Sequence, residues 1–575
     1  MAIDKKHVAD VLEEIGVLLE LKGDNPFRCI AYSNAARAID GLSDDVGTRV
    51  AAGTLTEIKG VGDAIAEKIT ELVTTGHLKY YEELRAKTPP GLLEMLRVQG
   101  LGPKRVKLLH DKLHIKSLQE LEAACRADKL LKLAGFGRKT QENILKGLAY
   151  LTQHQDRHLY PEALAAAQEL VEELKRERAI QAIEISGSLR RKREIIRDVD
   201  LLVASAHPER VMARFTALSG IERILAHGDT KSSVILKSGI QSDLRVVTER
   251  EFPYALHYFT GSQEHNTAIR GRAKKRGMKL SEYGLFKGKR LIPCKDEEGL
   301  FKKLGLAYIE PELREQTGEI EAAEEGRLPR LIERHDLRGV FHAHTHYSDG
   351  AATIEHMVKA ALEQGLEYIG LSDHSQSARY ANGMTPETVL RQHQEIAAVA
   401  QQFPRIRIFK GAEVDILSDG RLDYPEDVLQ RLDFVIASVH SGFTMSEADQ
   451  TRRILKALAH PRVTFLGHPT GRLLLSREPY AVDLDAVLRA AAQHRVIVEI
   501  NANPQRLDLD WRMMKHAKAL GVTFSINPDA HRTEAIADVT FGVGIARKGW
   551  LERADVVNTQ PVTSIAQWLM SRHGQ

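Results

Sequence analysis

Cysteine is scarce in this chain of 575 residues, which contains only three, and long apolar runs are missing. The odd number and wide spacing of Cys29, Cys125 and Cys294 exclude a disulfide framework and a four-cysteine zinc site. No apolar stretch is long enough to span a bilayer, and residues 1–20 alternate charged with apolar positions, unlike a signal peptide. We therefore expect reduced thiols, no membrane partner and a cytoplasmic protein.

The net charge is small, only +3, but charge and histidine are unevenly distributed. Residues 1–309 carry 51 Lys+Arg against 42 Asp+Glu, residues 310–325 carry 1 against 7, and residues 326–575 carry 29 against 29. Histidine follows the opposite trend, with 14 of 24 in residues 326–575. We expect several domains, nucleic-acid binding by the basic part and transition-metal binding by the histidine-rich part.

Two aspartates one residue apart, Asp198 and Asp200, open an apolar strand. Alternate side chains of a strand share a face, so both carboxylates can converge on one hard cation. A pair of divalent ions requires at least one further carboxylate, and Asp243, which opens a later strand, is the candidate. Asp243 is then also the natural general base for an attacking hydroxyl.

The turn before these aspartates is suited to phosphate. The Gly187-Ser188 pair lets the backbone approach closely, and charge-assisted donors follow at Arg190, Arg191 and Arg193. Turn and aspartates together resemble the nucleotidyltransferase palm of family X DNA polymerases, which implies two Mg²⁺ or Mn²⁺ ions and dNTP substrates. Lys192 and Arg197 stand where many relatives have glycine, so the turn is expected to differ in shape.

Three Gly-x-Gly turns occur between helical segments of the first 150 residues. Such a turn frees backbone N–H groups at a helix N-terminus, where they can hold a DNA phosphate without reading sequence. The three pairs are Gly60 and Gly62, Gly100 and Gly102, and Gly135 and Gly137. They resemble the helix-hairpin-helix motifs in the small N-terminal domain and fingers of the same family. In relatives with 5′-deoxyribose-phosphate lyase activity, a lysine at the place of Lys68 attacks the sugar; an exposed helix lysine is the alternative.

A further match follows the third aspartate. In the family, the corresponding Tyr-Phe-x-Gly-Ser stretch shapes the sugar pocket, and an Asn and an Arg contact the incoming base pair and the template. The matching residues here are Tyr258, Phe259, Gly261, Ser262, Asn266 and Arg270. The resemblance therefore implies a nucleotide pocket, whereas two core aromatics are the alternative for Tyr258 and Phe259.

The second half repeats short apolar segments that end in metal-type ligands, separated by helical stretches. Seven parallel strands with ligands at their C-terminal ends predict a barrel whose site lies on that face. The ligands are His342, His344, Asp349, His374, Glu413, His440, His468, Asp529 and His531. This mixture of imidazole and carboxylate suits zinc, manganese or iron, and a cluster that generates hydroxide would hydrolyse phosphoesters.

These nine positions resemble the polymerase and histidinol phosphatase (PHP) domain, a distorted seven-stranded barrel with a site for up to three Zn²⁺ or Mn²⁺ ions. By that resemblance one metal takes His342, His344, Glu413 and Asp529, a second takes Glu413, His440 and His468, and a third takes Asp349, His374 and His531. Three arginines, Arg379, Arg421 and Arg472, are candidates for holding the substrate phosphate.

We therefore predict a multidomain chain that starts with all-α helix-hairpin-helix domains, continues with an α+β palm and a thumb, and ends in an α/β (βα)7 PHP barrel. The predicted bounds are 1–88 for the N-terminal domain, 89–153 for the fingers, 154–249 for the palm, 250–315 for the thumb, 316–335 for a linker and 336–575 for the PHP domain.

The predicted function is short-gap filling in DNA repair, with a PHP phosphoesterase that acts as a 3′-5′ exonuclease or 3′-end-processing enzyme; AP endonuclease and lyase activities stay open. The expected partners are gapped or nicked duplex DNA with a 5′-phosphate and dNTPs, bound by a monomer near the nucleoid. One alternative is a DNA-end-binding protein with a weak polymerase. In the other, the PHP domain acts on a small phosphate ester.

Overall fold

The computed structural model describes residues 5–40, 42, 45–98, 100–153 and 156–573. Within these residues, no helix has the length and apolar character needed to cross a membrane. The apolar side chains form separate buried clusters for the N-terminal helices, the fingers, the palm, the thumb and the barrel. The chain is therefore a series of domains, each with its own core.

The described part of residues 5–153 is helical and contains no strand. Five helices pack in the N-terminal part: Lys5–Lys22, Pro26–Asp40, Val46–Ala52, Asp63–Thr75 and Lys79–Ala86. Four follow in the fingers: Pro90–Met95, Pro103–Leu113, Leu118–Arg126 and Arg138–Gln153. Gly62 and Gly102 each stand immediately before a helix, in extended backbone, so the predicted turns do begin helices.

The palm is a five-stranded sheet. In spatial order its strands are Ala182–Ile185, Asp198–Ala204, Gln241–Val247, Lys231–Leu236 and Ile221–His227. The second and third strands are parallel, and the other neighbours are antiparallel. A short pair, His158–Leu159 with Ile195–Ile196, lies apart from this sheet, and the palm helices are Tyr160–Leu174, Gly187–Arg190 and Pro208–Thr216.

The thumb combines three helices, Phe252–Thr260, Gln263–Lys275 and Glu297–Lys303, with a sheet of Lys279–Ser281, Gly284–Lys287 and Arg290–Leu291. The segment predicted as a linker packs onto it. Residues Glu319–Glu324 form a helix, and Ile320 is buried in the thumb core. The fully buried Glu319 accepts a hydrogen bond through Oε1 from His265 Nδ1 at 2.6 Å. Residues 316–335 are thus an ordered part of the structure that joins the two halves.

Seven parallel strands form the barrel, hydrogen-bonded in chain order: Gly339–Val340, Tyr368–Leu371, Arg407–Asp415, Phe434–Ser438, Phe465–Leu466, Ile497–Asn501 and Phe524–Asn527. The first and last strands come together through the side chain of Asn527, which accepts from the Phe341 amide at 2.9 Å, and through a parallel bridge between Ala343 and Ala530. The predicted distorted seven-stranded barrel is confirmed.

Helices cover the outside of the barrel: Ile354–Glu363, Pro386–Gln402, Glu426–Leu429, Glu447–Leu458, Leu484–Gln493, Trp511–Ala519, Val539–Lys548 and Val562–His573. Five aromatic rings fill its interior at the end opposite the predicted ligands: Phe341, Tyr368, Phe409, Phe434 and Phe465. Because this plug closes one end, polar side chains can meet only at the C-terminal ends of the strands.

The two halves meet through a charged interface. Glu194 of the palm accepts hydrogen bonds from Trp511 Nε1 at 3.1 Å and Arg512 Nη1 at 2.8 Å. The Lys548 side chain, 0% exposed, bonds to Glu315 and to the backbone carbonyl of Arg191. We call the palm, thumb and PHP residues of this contact, Arg191, Lys192, Arg193, Glu194, Glu312, Glu315, Trp511, Arg512, Arg547 and Lys548, the interdomain network.

Candidate active sites

The three palm aspartates come together because two strands are parallel and in register. Asp200 lies directly opposite Asp243, and Asp198 lies opposite Gln241. The alternation of a strand puts Asp198 and Asp200 on one face, as the spacing predicts. Asp243 Oδ2 receives Lys231 Nζ at 2.7 Å, and its Oδ1 accepts from Gln241 Nε2 at 2.9 Å.

The pKa values of the three aspartates indicate concentrated negative charge, which a bound cation would neutralise. Burial and the charges of Asp198 and Asp243 raise the pKa of Asp200 to about 7, and burial together with Asp243 also raises the pKa of Asp198. For Asp243, burial is outweighed by the Lys231 and Gln241 hydrogen bonds, which lower its pKa. Three carboxylates on facing positions of two adjacent strands, whose charges act on one another, fit a site for divalent ions, because such ions would remove the repulsion that raises the pKa of Asp198 and Asp200.

Position 187 requires glycine because the backbone there approaches the Asp200 carboxylate closely. It has φ +64°, and a Cβ built on it would lie 2.0 Å from Asp200 Oδ2. The Ser186 amide also donates to the Asp200 carbonyl at 2.8 Å, so the turn is tied to the strand beside this carboxylate. Ser188, the next residue, lies in the short helix Gly187–Arg190 beside the aspartates.

The four cations after this turn have protein partners. Arg190 pairs with Glu297 at 2.7 Å, Arg191 with Glu315 at 2.9 Å, Lys192 with Glu312 at 2.8 Å, and Arg193 with Glu315 at 3.3 Å. The role of Arg191 in nucleotide binding stays a prediction; its Nε donates to Glu315 and its Nη1 to the Thr260 carbonyl. Lys192, with φ +53°, is turned toward the PHP domain, where it packs on Gly544.

The residues of the predicted nucleotide pocket lie where the thumb helix Phe252–Thr260 ends and the next helix, Gln263–Lys275, begins. Phe259 stacks edge-to-face with Tyr258 at 5.1 Å and lies under the Arg245 guanidinium at 4.6 Å. Asn266 donates to the carbonyls of Tyr258 and Gly261, Ser262 caps the second helix by accepting from the His265 amide, and Arg270 is exposed one turn further on. Tyr258 and Phe259 are only half-buried, so they are not interior core residues.

The three Gly-x-Gly turns share one backbone conformation. The first glycines, Gly60, Gly100 and Gly135, have φ of +99°, +86° and +84°. A Cβ at each second glycine, Gly62, Gly102 and Gly137, would meet nothing within 4 Å, so this side of each turn is open. Such open helix N-termini fit a phosphate backbone. The second turn lines a cleft with Lys104, Arg105 and Arg477, the last from the PHP domain.

Lys68 lies on the helix after the first turn, as predicted. Its Nζ donates to the Ala64 carbonyl at 2.8 Å and lies 5.0 Å from the centre of the Tyr80 ring. Arg28 donates to the Tyr80 hydroxyl at 2.8 Å, so two cations flank one aromatic ring. Lys68, Arg28 and Tyr80 thus form one patch of two cations around an aromatic ring.

The nine predicted ligands of the PHP domain converge at the open end of the barrel. Glu413 is central, with carboxylate oxygens 2.8 Å from His468 Nε2, 3.0 Å from His374 Nδ1 and 3.3 Å from His440 Nε2. Asp529 Oδ1 lies 3.4 Å from His342 Nε2 and 3.2 Å from His344 Nε2.

The remaining contacts of this cluster centre on Asp349, whose Oδ1 is 3.7 Å from His374 Nε2 and 3.4 Å from His531 Nε2. Three groups have the spacing of metal ligands: His344, Asp349, His374 and His531; His342, His344 and Asp529; and His374, Glu413 and His440. These groups overlap the predicted ligand sets of the three metals. They differ in that His344 and His374 each belong to two groups.

The donor atoms fit metal ions. Five buried atoms of these ligands form no hydrogen bond with suitable geometry in the described structure: His342 Nε2, His344 Nδ1, His374 Nδ1, Glu413 Oε2 and His468 Nδ1. Unpaired buried polar atoms are costly, and ligation by a cation would satisfy them. Burial and nearby imidazoles lower the pKa of His374 to about 4. For His440 and His531 the neighbouring carboxylates outweigh burial and raise the pKa to about 9, and a bound cation would take the place of those protons because a ligating imidazole is neutral.

Sequence reasoning missed the groups that orient these ligands. Glu499 faces His342 Nδ1 at 2.6 Å, and Asp415 faces His440 Nδ1. Asp373, fully buried, accepts from the amides of Thr345 and Ser348 and so holds the loop that carries Asp349. The signal was present, because each acid occurs within or at the end of a barrel strand, next to predicted ligands.

Of the three candidate phosphate-binding arginines, Arg472 is corrected, whereas Arg379 and Arg421 are exposed and stay predictions. Arg472 is buried and bonds to Asp510 and to the carbonyls of Arg506 and Leu507, so it shapes a loop. Arg421 is exposed and pairs with Asp419. Arg506, which sequence reasoning did not select, lies at the cluster, 3.2 Å from Asp529 Oδ2.

Models of known families match four parts of the chain. These are a helix-hairpin-helix domain at 3–78, a SAM-like helix-hairpin-helix tandem at 92–149, the DNA polymerase beta thumb at 255–315 and the PHP domain at 341–503. With the palm carboxylates and the barrel cluster, they define a polymerase beta-like DNA polymerase joined to a PHP domain, whose two catalytic domains are of metal-dependent classes.

Relatives make the assignment specific. The "DNA polymerase/3'-5' exonuclease PolX" of Bacillus subtilis is 38% identical over 98% of this chain and 99% of its own length. The chain therefore belongs to the PolX family of DNA polymerases with a PHP domain. A "Probable phosphatase" of Caldicellulosiruptor saccharolyticus is 31% identical over 35% of this chain and 83% of its own length, and one of Aliivibrio fischeri is 29% identical over 38% and 88%.

Proposed function

We propose that the chain is a DNA polymerase that fills short gaps during repair and whose PHP domain removes nucleotides from 3′ ends. The observation that supports this best is the presence of two separate ion-binding constellations, each built at strand ends and each within a domain of known class. They divide synthesis from hydrolysis between the two halves of the chain.

In the polymerase half, Asp198, Asp200 and Asp243 would hold two Mg²⁺ or Mn²⁺ ions, which neutralise phosphate charge and lower the pKa of the primer hydroxyl. Asp243 stays ionised beside Lys231 and is the base that accepts that proton. The Gly187-Ser188 turn offers its backbone to the triphosphate, Tyr258 and Phe259 border the sugar, and Asn266 and Arg270 face the base pair. The open turns at Gly62, Gly102 and Gly137 hold gapped or nicked DNA by its backbone.

In the PHP half, the nine ligands would hold up to three Zn²⁺ or Mn²⁺ ions, which supply hydroxide and stabilise charge on the phosphoryl group. Glu499 and Asp415 fix the orientation of His342 and His440, and Arg506 faces the developing negative charge. Because the barrel is plugged below the cluster, a DNA end has to approach from the outer face.

The test uses a one-nucleotide-gapped, 5′-phosphorylated duplex with dNTPs and Mn²⁺. The intact protein is compared with Asp198→Ala/Asp200→Ala and His342→Ala/His344→Ala, with the exposed Asp229→Ala and His335→Ala as matched controls. We expect the first double variant to lose only extension and the second only 3′ degradation.

Three other outcomes are informative. Degradation without extension by the intact protein identifies the first half as a DNA-end-binding platform and refutes the polymerase proposal. Hydrolysis of small phosphate esters without attack on DNA refutes the exonuclease proposal. Loss of both activities in either double variant refutes the division of labour.

We also propose that Lys68 is the nucleophile of a 5′-deoxyribose-phosphate lyase, supported by its place beside Arg28 and Tyr80. Borohydride reduction during incubation with an incised abasic duplex should trap the protein on DNA. Lys68→Ala should abolish trapping, whereas Lys79→Ala, an exposed lysine in the same domain, should not. Equal trapping by both variants would assign the lysine elsewhere.

A further inference from the structure

One exposed aromatic ring stands at the mouth of the barrel site. Tyr380 is 68% exposed, yet its ring centre lies 6.1 Å from that of His374 and 6.3 Å from that of His440. It touches two ligands at their edge and leaves one face to solvent. Tyrosine in this position has no core to stabilise, and an aromatic residue exposed beside a reactive cluster is typical of a binding surface.

The exposure of Tyr380 does not come from a loosely held loop. Ser377 donates through its amide to Asp423 and through its hydroxyl to Asp415, both at 2.7 Å. Ala378 and Ala381, on either side of the tyrosine, are each 1% exposed. The loop is pinned on both flanks, so the ring is presented in one place.

The loop also closes tightly onto the strand that carries His374. The Met384 amide donates to the His374 carbonyl at 2.8 Å, and a Cβ at Gly383 would lie 1.9 Å from the Ser375 carbonyl oxygen. The position of Tyr380 is therefore coupled to that of a predicted ligand through a backbone hydrogen bond. A ring fixed in this way costs little entropy when a second ring stacks on it.

The charges around the ring identify the class of ligand. Glu413, Asp415 and Asp349 lie on the cluster side, and two cations, Arg506 and Arg477, also act on the phenol. If a phosphodiester lies on the metal-ligand cluster, with Arg506 beside it, the attached sugar and base lie at the rim of the cluster rather than on top of it. That is where the Tyr380 ring stands, and nucleobases stack on aromatic rings without regard to sequence.

We propose that Tyr380 forms a stacking subsite for the unpaired nucleobase at the 3′ end of a DNA strand whose terminal phosphodiester lies on the barrel cluster. This rests on the proposed exonuclease function and deepens it. Tyr380 is a specificity residue that lets the site recognise a nucleotide rather than a bare phosphate ester. It also makes a frayed 3′ end a better substrate than a paired one, because a paired base is already stacked in the duplex.

The first test compares two single strands that differ only at the 3′ terminus, one with a normal nucleotide and one with a tetrahydrofuran residue that has no base. Tyr380→Ala should lower kcat/KM for the normal end roughly 5- to 150-fold and leave the baseless end unchanged. Tyr380→Phe and Tyr380→Trp should retain the preference for the base. Tyr283→Ala, which removes an exposed tyrosine of the thumb, is the matched control. Equal loss on both ends, or no loss on either, overturns the proposal.

The second test needs no turnover. A strand with 5-iodouracil at its 3′ terminus, joined through a phosphorothioate linkage that resists hydrolysis, is irradiated with the intact protein and Mn²⁺, and the cross-linked peptide is identified by mass spectrometry. We expect cross-linking at Tyr380, and its loss in Tyr380→Ala. Cross-links elsewhere on the chain without any at residues 379–381 overturn the stacking subsite. If the protein cross-links at Tyr380 but releases no nucleotide, the subsite stands and the exonuclease proposal fails.

Discussion

Gly187→Ala tests whether the close approach of the phosphate turn to Asp200 sets the geometry of the polymerase site. The added Cβ would lie 2.0 Å from Asp200 Oδ2, whereas ordinary contacts begin at 3.4 Å. Turn and carboxylate must therefore separate by at least about 1.4 Å. A misplacement of about 1 Å at a reacting centre can reduce the rate on the order of 100-fold.

The substitution also has a backbone cost. Gly187 has φ +64°, a conformation that costs an alanine about 1–2 kcal/mol. Gly239→Ala is the matched control, because Gly239 lies in the same palm at φ +85° with nothing within 4 Å of its Cβ position. Both variants should lose similar stability, but only Gly187→Ala should also lose catalysis.

Single-nucleotide extension on gapped DNA, measured with saturating dNTP, should fall on the order of 100-fold for Gly187→Ala and less than about threefold for Gly239→Ala. Release of 3′ nucleotides by the PHP domain serves as an internal measure of intact protein and should be unchanged in both. If Gly187→Ala extends DNA as fast as Gly239→Ala, the contact with Asp200 does not control the site.

Three further predictions concern the other buried polar groups. Glu499→Gln should weaken metal binding about 10- to 100-fold in a metal titration because Glu499 orients His342; unchanged affinity would show that this contact is dispensable. Lys548→Met should lower the free energy of unfolding by about 1–3 kcal/mol in denaturant melts, because Glu315 loses one of its three cations; an unchanged midpoint would refute the role of this pair. Burial raises the pKa of Glu312, but Lys192 and Arg547 outweigh burial and lower it to about 2, below its ordinary value of 4.5. The stabilisation from Glu312 is therefore present above pH 4.5 and is lost as the pH falls toward 2. Glu312→Gln should therefore flatten acid unfolding in that window, and an identical pH profile would contradict this.

Much of both sites follows from local pattern. The Asp198 and Asp200 alternation and the ligands at successive strand ends are properties of single strands, and strand period alone places them correctly. The match of Asp200 with Asp243 needed only the assumption that the two strands are neighbours. Metal-type residues at seven strand ends leave few alternatives to one barrel face.

The rest depends on contacts between distant segments. The sequence Arg-Arg-Lys-Arg after Ser188 is equally compatible with a phosphate clamp and with ion pairs, and only the fold shows that Glu297, Glu312 and Glu315 face these cations. Residues 316–335 have the composition of a linker, yet Glu319 is buried against His265, a partner 54 positions away. Charge alone does not reveal whether its counterpart is solvent, ligand or another part of the chain.

The interdomain network has a consequence for how the two activities share one DNA end. Opening the interface would break the bonds of the buried Lys548 to Glu315 and to two backbone carbonyls, so the network favours a fixed arrangement of the two halves. If the PHP domain edits the primer that the palm extends, we expect a mispaired 3′ terminus to move between two fixed sites. Melting of that terminus, rather than a hinge motion of the protein, is then the step expected to limit its removal.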